Sequence, residues 1–277
     1  MRQRLLGTCP SGRDTGPAVV AAGQPRSKAR WKWYSISPNG PLSIALVTAG
    51  ALGLGAPPAA AQQTLNVSLG YFTVRGEDAR VDGDILNEHR GAEAALVYEI
   101  SEFNGPTVGA EWLVPLGNYL EAGAGVAFSR RTVPSVYEDF VDADGSEIEQ
   151  DLRLRLVPVA FTVRVLPLGQ QSGVQPYFGG GLGVINWRYS ESGEFVDFSQ
   201  GNAIFREQYV ASGNETGPVV LGGLRFAGDT VSAGAEVRYH SATGDLGSGG
   251  FGSTSADPKI DLGGWSYLFT IGMRFGG

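Results

Sequence analysis

Cysteine is almost missing from this chain of 277 residues: the only one is Cys9, so residues 62–277 have none. A protein that crosses an oxidising compartment unfolded gains from having no thiol that could mispair. Histidine is nearly as rare, with two residues, whereas glycine is abundant, with 42. The composition therefore agrees with an exported chain.

Positive charge is also scarce beyond the N-terminal region. Residues 62–277 hold 14 Lys and Arg residues against 27 Asp and Glu residues, a net charge of −13. A chain so acidic lacks the basic footprint of nucleic-acid binding, so we expect no nucleic acid among its partners. The same residues offer no convincing amphipathic helix.

Residues 1–61 have the pattern of an export signal. A basic stretch, RSKARWKW, precedes an apolar one, PLSIALVTAGALGLGA, and small residues follow at Ala59 and Ala61. This order predicts a secretory signal peptide that is cleaved after Ala61. The alternative is a transmembrane anchor, but the apolar run is short for about 30 Å of hydrocarbon. We therefore expect an N-terminal extension with a cleaved signal peptide over 1–61 and one domain over 62–277.

Period-two alternation, the pattern of a strand with two different faces, recurs along residues 62–277. In the last stretch Trp265 and Tyr267 alternate with Ser266. Eight such stretches occur: TLNVSLGYFTV, PTVGAEWLVPL, YLEAGAGVAFS, DLRLRLVPVAFTVRVLPL, QPYFGGGLGVINWRY, GPVVLGGLRFAG, TVSAGAEVRYHSA and GGWSYLFTIGMRF. They predict an all-β fold with eight strands.

The connections between these strands alternate in length. The short ones are Leu116-Gly117-Asn118, LGQQSGVQ and Ala227-Gly228-Asp229, and the long polar ones are 75–104, 132–150, 191–216 and 244–261. The pattern is typical of an eight-stranded antiparallel up-and-down transmembrane β-barrel with short periplasmic turns and long extracellular loops. A soluble β-sandwich or lipocalin-like barrel is the alternative, but it leaves the signal peptide and the uneven loops unexplained.

The signal peptide, the eight alternating strands, QPYFGGGLGVINWRY and the aromatic closing strand together resemble the small outer-membrane barrel superfamily of OmpA, OmpX and OmpW type. The resemblance covers roughly residues 64–275. It implies a protein of the cell outer membrane, surrounded by lipid and lipopolysaccharide and inserted by the barrel-assembly machinery. We expect a monomer without a cofactor, and the sequence identifies no extracellular partner.

The stretch RYHSATGDLGSG places His240 beside Ser241, and the resemblance makes an enzyme conceivable because such barrels include lipid A acyl-hydrolases and acyltransferases. A nucleophile and its base must lie within hydrogen-bonding distance, whereas adjacent residues of a strand point to opposite faces. We therefore expect His240 to be a polar residue at the barrel rim and the protein not to be an enzyme.

The acidic stretch YEDFVDADGSEIEQD resembles part of a calcium-binding loop at Asp142, Asp144 and Gly145. Phe140 occupies the position where the loop needs an aspartate, so the match is damaged. A solvated extracellular loop is the simpler interpretation, and Asp142 and Asp144 are only weak candidates for metal ligands.

Charged residues on the inner face of the predicted barrel are the most informative group. An eight-stranded barrel is just wide enough for its side chains to fill, and buried charges must be paired. An Arg/Glu network is therefore expected to close the lumen, with a charge-lined channel as the alternative. Its expected members are Glu111, Glu121, Arg164, Arg225 and Arg274 near the periplasmic end and Arg188, Glu236 and Arg238 toward the outer end, where Arg153 and Arg155 are also placed.

Two further expectations concern the strands. The leucines from Leu152 to Leu156 and the apolar residues from Val157 to Val165 alternate in opposite parity, which predicts a β-bulge at Pro158 if both sets face lipid. Aromatic residues should form two belts at the membrane boundaries. The outer belt is predicted from Tyr71, Phe128, Trp187, Tyr189 and Tyr239, and the periplasmic belt from Trp112, Tyr119, Phe226 and Phe275.

These observations predict an outer-membrane barrel with a structural or surface-interaction role and a lumen closed by the Arg/Glu network. Passive passage of small apolar solutes through a lateral opening is the second hypothesis. A lipid A-modifying enzyme is the third.

Overall fold

The computed structural model describes residues 62–91, 96–171, 173–247, 251–253, 255 and 257–276, and antiparallel β-structure dominates them. The expected signal peptide lies outside the described residues. Within them, no helix is long and apolar enough to cross a membrane.

The strands, in chain order, are β1 (Gln63–Val74), β2 (Leu96–Val97), β3 (Gly105–Pro115), β4 (Leu120–Val141), β5 (Glu147–Val165), β6 (Gly173–Asp197), β7 (Ala203–Ala227), β8 (Val231–His240), β9 (Thr243–Asp245), β10 (Lys259–Asp261) and β11 (Gly264–Phe275). In the described parts of the connections lie one α-helix, α1 (Ile85–Gly91), and three 3₁₀ turns (Glu77–Ala79, Ile100–Phe103 and Phe198–Gln200).

Eight of these strands close into a ring. The order is β1, β3, β4, β5, β6, β7, β8 and β11, and β11 pairs back onto β1, with every pairing antiparallel. Closure leaves no unpaired strand edge inside a bilayer, where an unsatisfied backbone group costs several kcal/mol. The predicted eight-stranded barrel is confirmed.

In the membrane-spanning part of the ring the outward face is apolar, and the inward face is mostly polar or small, with a few buried leucines such as Leu113. On β5, Phe161 and Val163 are 61% and 49% exposed, whereas Thr162 between them is 3% exposed. The same alternation leaves Leu65, Val67 and Leu69 outward on β1 and Ile271 and Met273 outward on β11. A barrel with an apolar exterior band spans a membrane.

The expected bulge at Pro158 is wrong. The register between β5 and β6 runs without a shift from Gln150 to Val165, and one parity points inward throughout, so Leu152, Leu154 and Leu156 lie inside the barrel. What changes at Val157 is the surroundings of each face. On the periplasmic side of Val157, the outward face of the strand meets lipid. On the extracellular side, the outward face meets water and the inward face packs in a hydrophobic core.

Two of the four long connections are β-hairpins and not loops. β4 and β5 continue pairing to a turn at 142–146, and β6 and β7 to a turn at 198–202. The stretches 132–150 and 191–216 were expected to be loops because polar residues dominate them. Their polar side chains instead cover the outside of sheet that continues beyond the membrane.

The barrel wall is therefore tall on one side. β4 to β7 have 19 to 25 residues each, whereas a tilted transmembrane strand needs about 9–11. The other four strands have 10 to 12 residues. Two connections, 75–104 and 241–263, join these short strands and pack against the inner face of the tall wall.

Seven of the nine aromatic residues expected in membrane belts point outward. Trp112, Tyr119, Phe226 and Phe275 are exposed toward the periplasmic end, and Tyr71 and Phe128 are exposed toward the outer end, while Tyr239 lies beside the outward Trp265 at 4.8 Å. Trp187 and Tyr189 are buried inside the barrel, so their assignment to the outer belt is wrong. Trp187 and Tyr189 pair with Leu156 and Leu154 of β5, on the extracellular side of Val157, where the inward face of the sheet is apolar.

Glycines in the GGGLG stretch of β6 permit close strand packing. A Cβ on Gly181 would lie 1.9 Å from the Phe161 carbonyl oxygen, whereas one on Gly222 of β7 would meet its nearest neighbour at 3.7 Å. We expect Gly181→Ala to cost about 1–3 kcal/mol of stability and Gly222→Ala to cost little. Thermal unfolding of both variants in detergent measures this, and equal melting temperatures would contradict it.

Candidate functional site

Four charged side chains meet inside the lumen. Glu111 on β3, Arg164 on β5, and Glu236 and Arg238 on β8 occupy inward positions of their strands. Arg164 Nη2 donates to Glu236 at 2.8 Å and also to Glu111. Arg238 Nη2 joins the same two carboxylates, at 3.1 Å from Glu111 and 2.7 Å from Glu236. These four residues, the lumen quartet, balance two positive charges with two negative ones.

Tyr177 on β6 completes the quartet. Its hydroxyl donates to Glu236 Oε2 at 3.0 Å, and the Arg164 guanidinium carbon lies 4.7 Å from the centre of its ring. Glu236 thus accepts from two arginines and a phenol, which satisfies its oxygens in a buried site. Tyr177 was not among the residues predicted for the lumen, although it alternates with the outward Phe178 and its inward position could have been read from that alternation.

A second ion pair lies closer to the periplasmic turns. Arg225 on β7 approaches Glu121 on β4 at 3.3 Å, and its Nε donates to Gln175 on β6 at 2.9 Å. All three side chains are buried. Glu111 and Glu121 were expected to pair with some of Arg164, Arg225 and Arg274. In the structure they lie in separate clusters, Glu111 with Arg164 and Glu121 with Arg225.

Several arginines that were expected inside the lumen lie elsewhere. Arg188 is exposed on the outward face of β6, and Arg153 and Arg155 lie on the outward face of β5. Their inward assignment is wrong because it rested on the bulge and on an outward Trp187. Arg274 does point inward, but it lies at the periplasmic mouth, where its Nη1 donates to the Gly228 carbonyl at 2.6 Å and not to Glu121.

A small cavity lies beside the quartet. Its volume is about 40 Å³, and its lining includes Glu111, Glu236, Arg238 and His240 together with Ser68, Thr107, Ser129, Ser266 and Thr270. One water molecule needs about 10–15 Å³ of such volume. The cavity therefore has room for a few waters and not for an organic solute.

Above this cavity the barrel is filled by a hydrophobic core, which we call the outer plug. It joins the inner face of the tall wall to the connections 75–104 and 241–263. Its members are Phe72, Ile85, Leu86, Leu96, Tyr98, Ile100, Phe103, Val133, Leu152, Leu154, Leu156, Ile185, Trp187, Tyr189, Ala242, Leu246, Phe251, Ile260 and Leu262. Helix α1 contributes Ile85 and Leu86, which are fully buried.

Tyr98 shows how closely the outer plug is packed. Its hydroxyl donates to the Leu86 carbonyl at 2.6 Å. Burial raises the pKa of Tyr98 far above its ordinary value, with Glu191 and Asp84 adding to the shift. The phenol therefore stays protonated at neutral pH and can donate this hydrogen bond.

A buried polar cluster attaches the connection 75–104 to the connection 241–263. Arg80 donates to both carboxylate oxygens of Asp84, at 2.6 and 2.9 Å, and both side chains are fully buried. Asp84 Oδ1 accepts the Asp261 backbone N–H at 2.6 Å, and the Asp261 carboxylate accepts from Arg75 at 2.7 Å. These charge-assisted bonds fix the two connections to each other across the barrel mouth.

A second attachment ties helix α1 to the tall wall. His89 Nε2 lies 2.7 Å from Glu191 Oε1, and the Tyr189 hydroxyl donates to the same oxygen at 2.9 Å. Glu191 is buried on β6. The sequence offered no signal for this pair because the two residues are 102 positions apart.

His240 and Ser241 do not form a catalytic pair. The His240 ring is buried and stacks on Phe72 at 5.2 Å, and its Nε2 lies 3.1 Å from the Leu262 carbonyl oxygen. Ser241 Oγ instead accepts a hydrogen bond from Arg75 at 2.8 Å. His240 is at the strand end, as expected, but it packs inside the barrel.

Asp142 and Asp144 shape the turn between β4 and β5. Asp142 Oδ1 accepts the Ala143 N–H at 2.5 Å, and Asp144 Oδ1 accepts from Ser146 N–H and Oγ at 2.9 and 2.7 Å. Hydrogen bonds from Ser146 lower the pKa of Asp144. Among the described residues, no group of three or more His, Cys, Asp or Glu side chains is arranged to hold a metal ion.

The ring closure, the apolar exterior, the short turns at one end and the long connections at the other are the features of a bacterial outer-membrane barrel. The fold is that of a small outer-membrane β-barrel. No protein-family model and no curated protein matches the chain. Eighteen chains of solved structures do match.

Three of these solved structures illustrate the similarity. Ail, the attachment invasion locus protein of Yersinia pestis, has 12% identity and a TM-score of 0.39, and the match covers 78% of this chain and 99% of Ail. Neisserial surface protein A has 12% identity and a TM-score of 0.38, over 77% of this chain and 97% of that one. The E. coli outer membrane protein W has 16% identity and a TM-score of 0.34, over 78% and 98%.

Proposed function

We propose that this barrel is a sealed membrane anchor with a structural or surface-interaction role, holding a rigid extracellular platform. The outer plug carries the proposal. A pore needs a continuous path along the barrel axis, and nineteen buried apolar residues occupy the outer end of that path. The lumen quartet and the Arg225–Glu121 pair occupy the path below it.

The platform consists of the outer halves of β4 to β7 and the segments that pack on them. Paired backbone continues to Val141 in one hairpin and to Asp197 in the other. The apolar inner face of this sheet is buried in the outer plug, so the sheet is backed by a core like that of a soluble domain. Such backing holds the outward face of the sheet in a fixed position, which suits recognition of an extracellular partner.

Passive passage of small solutes is the competing function. The cavity of about 40 Å³ is far smaller than the roughly 300–1,000 Å³ of ordinary ligand pockets. In addition, the quartet leaves no net charge that would attract an ion.

Reconstitution tests the proposal. Purified barrel in planar bilayers is expected to give no discrete conductance steps, because the plug and the quartet close the same path. Proteoliposomes should take up small sugars and an apolar fluorescent dye no faster than protein-free liposomes. A general porin, reconstituted in parallel, controls for insertion. Regular conductance steps or accelerated dye uptake would instead establish a channel.

A further inference from the structure

Three arginines stand side by side on the outside of the barrel. Arg130 on β4 is the direct cross-strand partner of Arg155 on β5, and Arg155 is the direct partner of Arg188 on β6. Arg153 lies two residues before Arg155 on β5, nearer the extracellular end and on the same outward face. We call these four residues the arginine row. Directly opposed residues have Cβ atoms about 4.5–5.5 Å apart, so the three opposed guanidinium groups span about 10 Å.

Like charges placed directly opposite each other destabilise a sheet, and no carboxylate that the structure describes forms an ion pair with these arginines. Within the part of the chain that the structure describes, every ion pair involves other residues. The groups are nevertheless positioned by neutral partners. Arg155 Nη2 donates to Asn186 Oδ1 at 2.9 Å, and Arg153 Nε donates to Thr132 Oγ1 at 3.0 Å. Arg155 Nε is buried without a hydrogen-bond partner.

The row lies where the hydrocarbon ends. Near the periplasmic turn, Val165 pairs with Leu120 on one side and with Phe178 on the other. On each of the three strands, the arginine lies ten residues from this periplasmic level, in the direction of the extracellular side: Arg130 from Leu120, Arg155 from Val165 and Arg188 from Phe178. A tilted strand crosses a bilayer in about 9–11 residues. The outward Phe128 and Val184 lie just below the row and are exposed to lipid.

We propose that the arginine row binds phosphate groups of the lipids in the outer leaflet around the barrel. A multiply phosphorylated lipid headgroup has the charge that the row lacks, at the depth where the row lies. Guanidinium groups suit phosphate because they donate two parallel hydrogen bonds to it. Four of the 14 basic residues after residue 61 are gathered here, in a domain of net charge −13.

Mixed nanodiscs test the proposal. The barrel is placed in phosphatidylcholine discs that contain fluorescently labelled lipid A, and energy transfer from its tryptophans measures lipid A enrichment around it. Arg155→Gln with Arg188→Gln is expected to lower the enrichment about 30-fold, since each arginine near a lipid surface contributes about 1 kcal/mol. Dephosphorylated lipid A should show no enrichment for either protein.

The matched control removes two basic residues elsewhere, with Arg206→Gln and Lys259→Gln. Both side chains are exposed and paired with acids outside the row, so lipid A enrichment should stay unchanged. Folding of all variants is checked by circular dichroism and by heat-dependent gel mobility. The row variant should fold fully, because it removes repulsion.

Three results would overturn the proposal: unchanged enrichment in the row variant, an equal loss in the control, or retained enrichment of dephosphorylated lipid A. Binding of inorganic pyrophosphate to the barrel in detergent separates a soluble anion from a lipid. If the row variant loses pyrophosphate binding while lipid A enrichment is unaffected, the row serves a soluble anion and the lipid proposal is wrong.

Discussion

Replacing Asp84 by alanine is expected to open the extracellular mouth of the barrel. The change leaves the buried Arg80 guanidinium without its carboxylate partner and removes the acceptor of the Asp261 N–H. Breaking a buried ion pair in this way costs about 3–5 kcal/mol. The loss should fall on the connection 75–104 and not on the ring, whose strands are held by their own pairing.

Limited trypsin digestion measures this opening. Arg80 and Arg90 lie in the connection, and cleavage there should become at least about 100-fold faster, since about 1.4 kcal/mol corresponds to a factor of ten. Asp82→Ala is the matched control, because Asp82 lies in the same connection and is exposed. Equal cleavage rates for Asp84→Ala and the unchanged protein would show that the cluster does not hold the connection.

Glu236→Ala should lower the heat resistance of the whole barrel. Glu236 accepts from Arg164, Arg238 and Tyr177 and is almost fully buried. Without it, two arginines share the single carboxylate of Glu111, which leaves one uncompensated buried charge. The expected cost is about 3–5 kcal/mol, or a fall of about 10 °C in the temperature at which the folded barrel loses its gel mobility.

A second variant separates charge from packing in the quartet. Glu236→Ala combined with Arg238→Ala leaves Glu111 and Arg164 as a neutral pair, and it should recover much of the lost heat resistance. Glu111→Ala should resemble Glu236→Ala, because it also leaves one charge unbalanced. If the double variant is less stable than the single one by the full cost of a second truncation, the quartet is not an electrostatic unit.

The change of surroundings along β5 explains why its sequence pattern predicts a bulge that the structure lacks. Apolar residues alternate in one parity up to Leu156 and in the other from Val157, and a bulge was the simplest way to keep both sets in lipid. In the structure the register of β5 does not shift. The inward Leu156 packs in the outer plug, whereas the outward Val159 meets the bilayer. Where the apolar residues of a strand change from one face to the other without a bulge, the strand therefore leaves the membrane at that level.

The same effect accounts for the misplaced aromatic and basic residues. Trp187 and Tyr189 on β6 are apolar enough for a lipid belt, but they lie on the extracellular side of that level and pack inside. Arg188 between them is consequently outside, where it joins the arginine row. Their correct faces follow only once the segments that pack in the barrel mouth are known.

The sequence by itself determined the barrel, its eight strands and the inward carboxylates and arginines of the periplasmic half. Alternation of period two is a local property, and in the bilayer the polar residues of a strand must face the lumen, so composition decides the face. Only the tertiary structure decided the outer half. There both faces meet protein or water, and contacts between residues far apart in sequence, such as Arg80 with Asp261 and His89 with Glu191, select the buried face. No local pattern encodes such contacts, because their free energy arises only when the ring has closed.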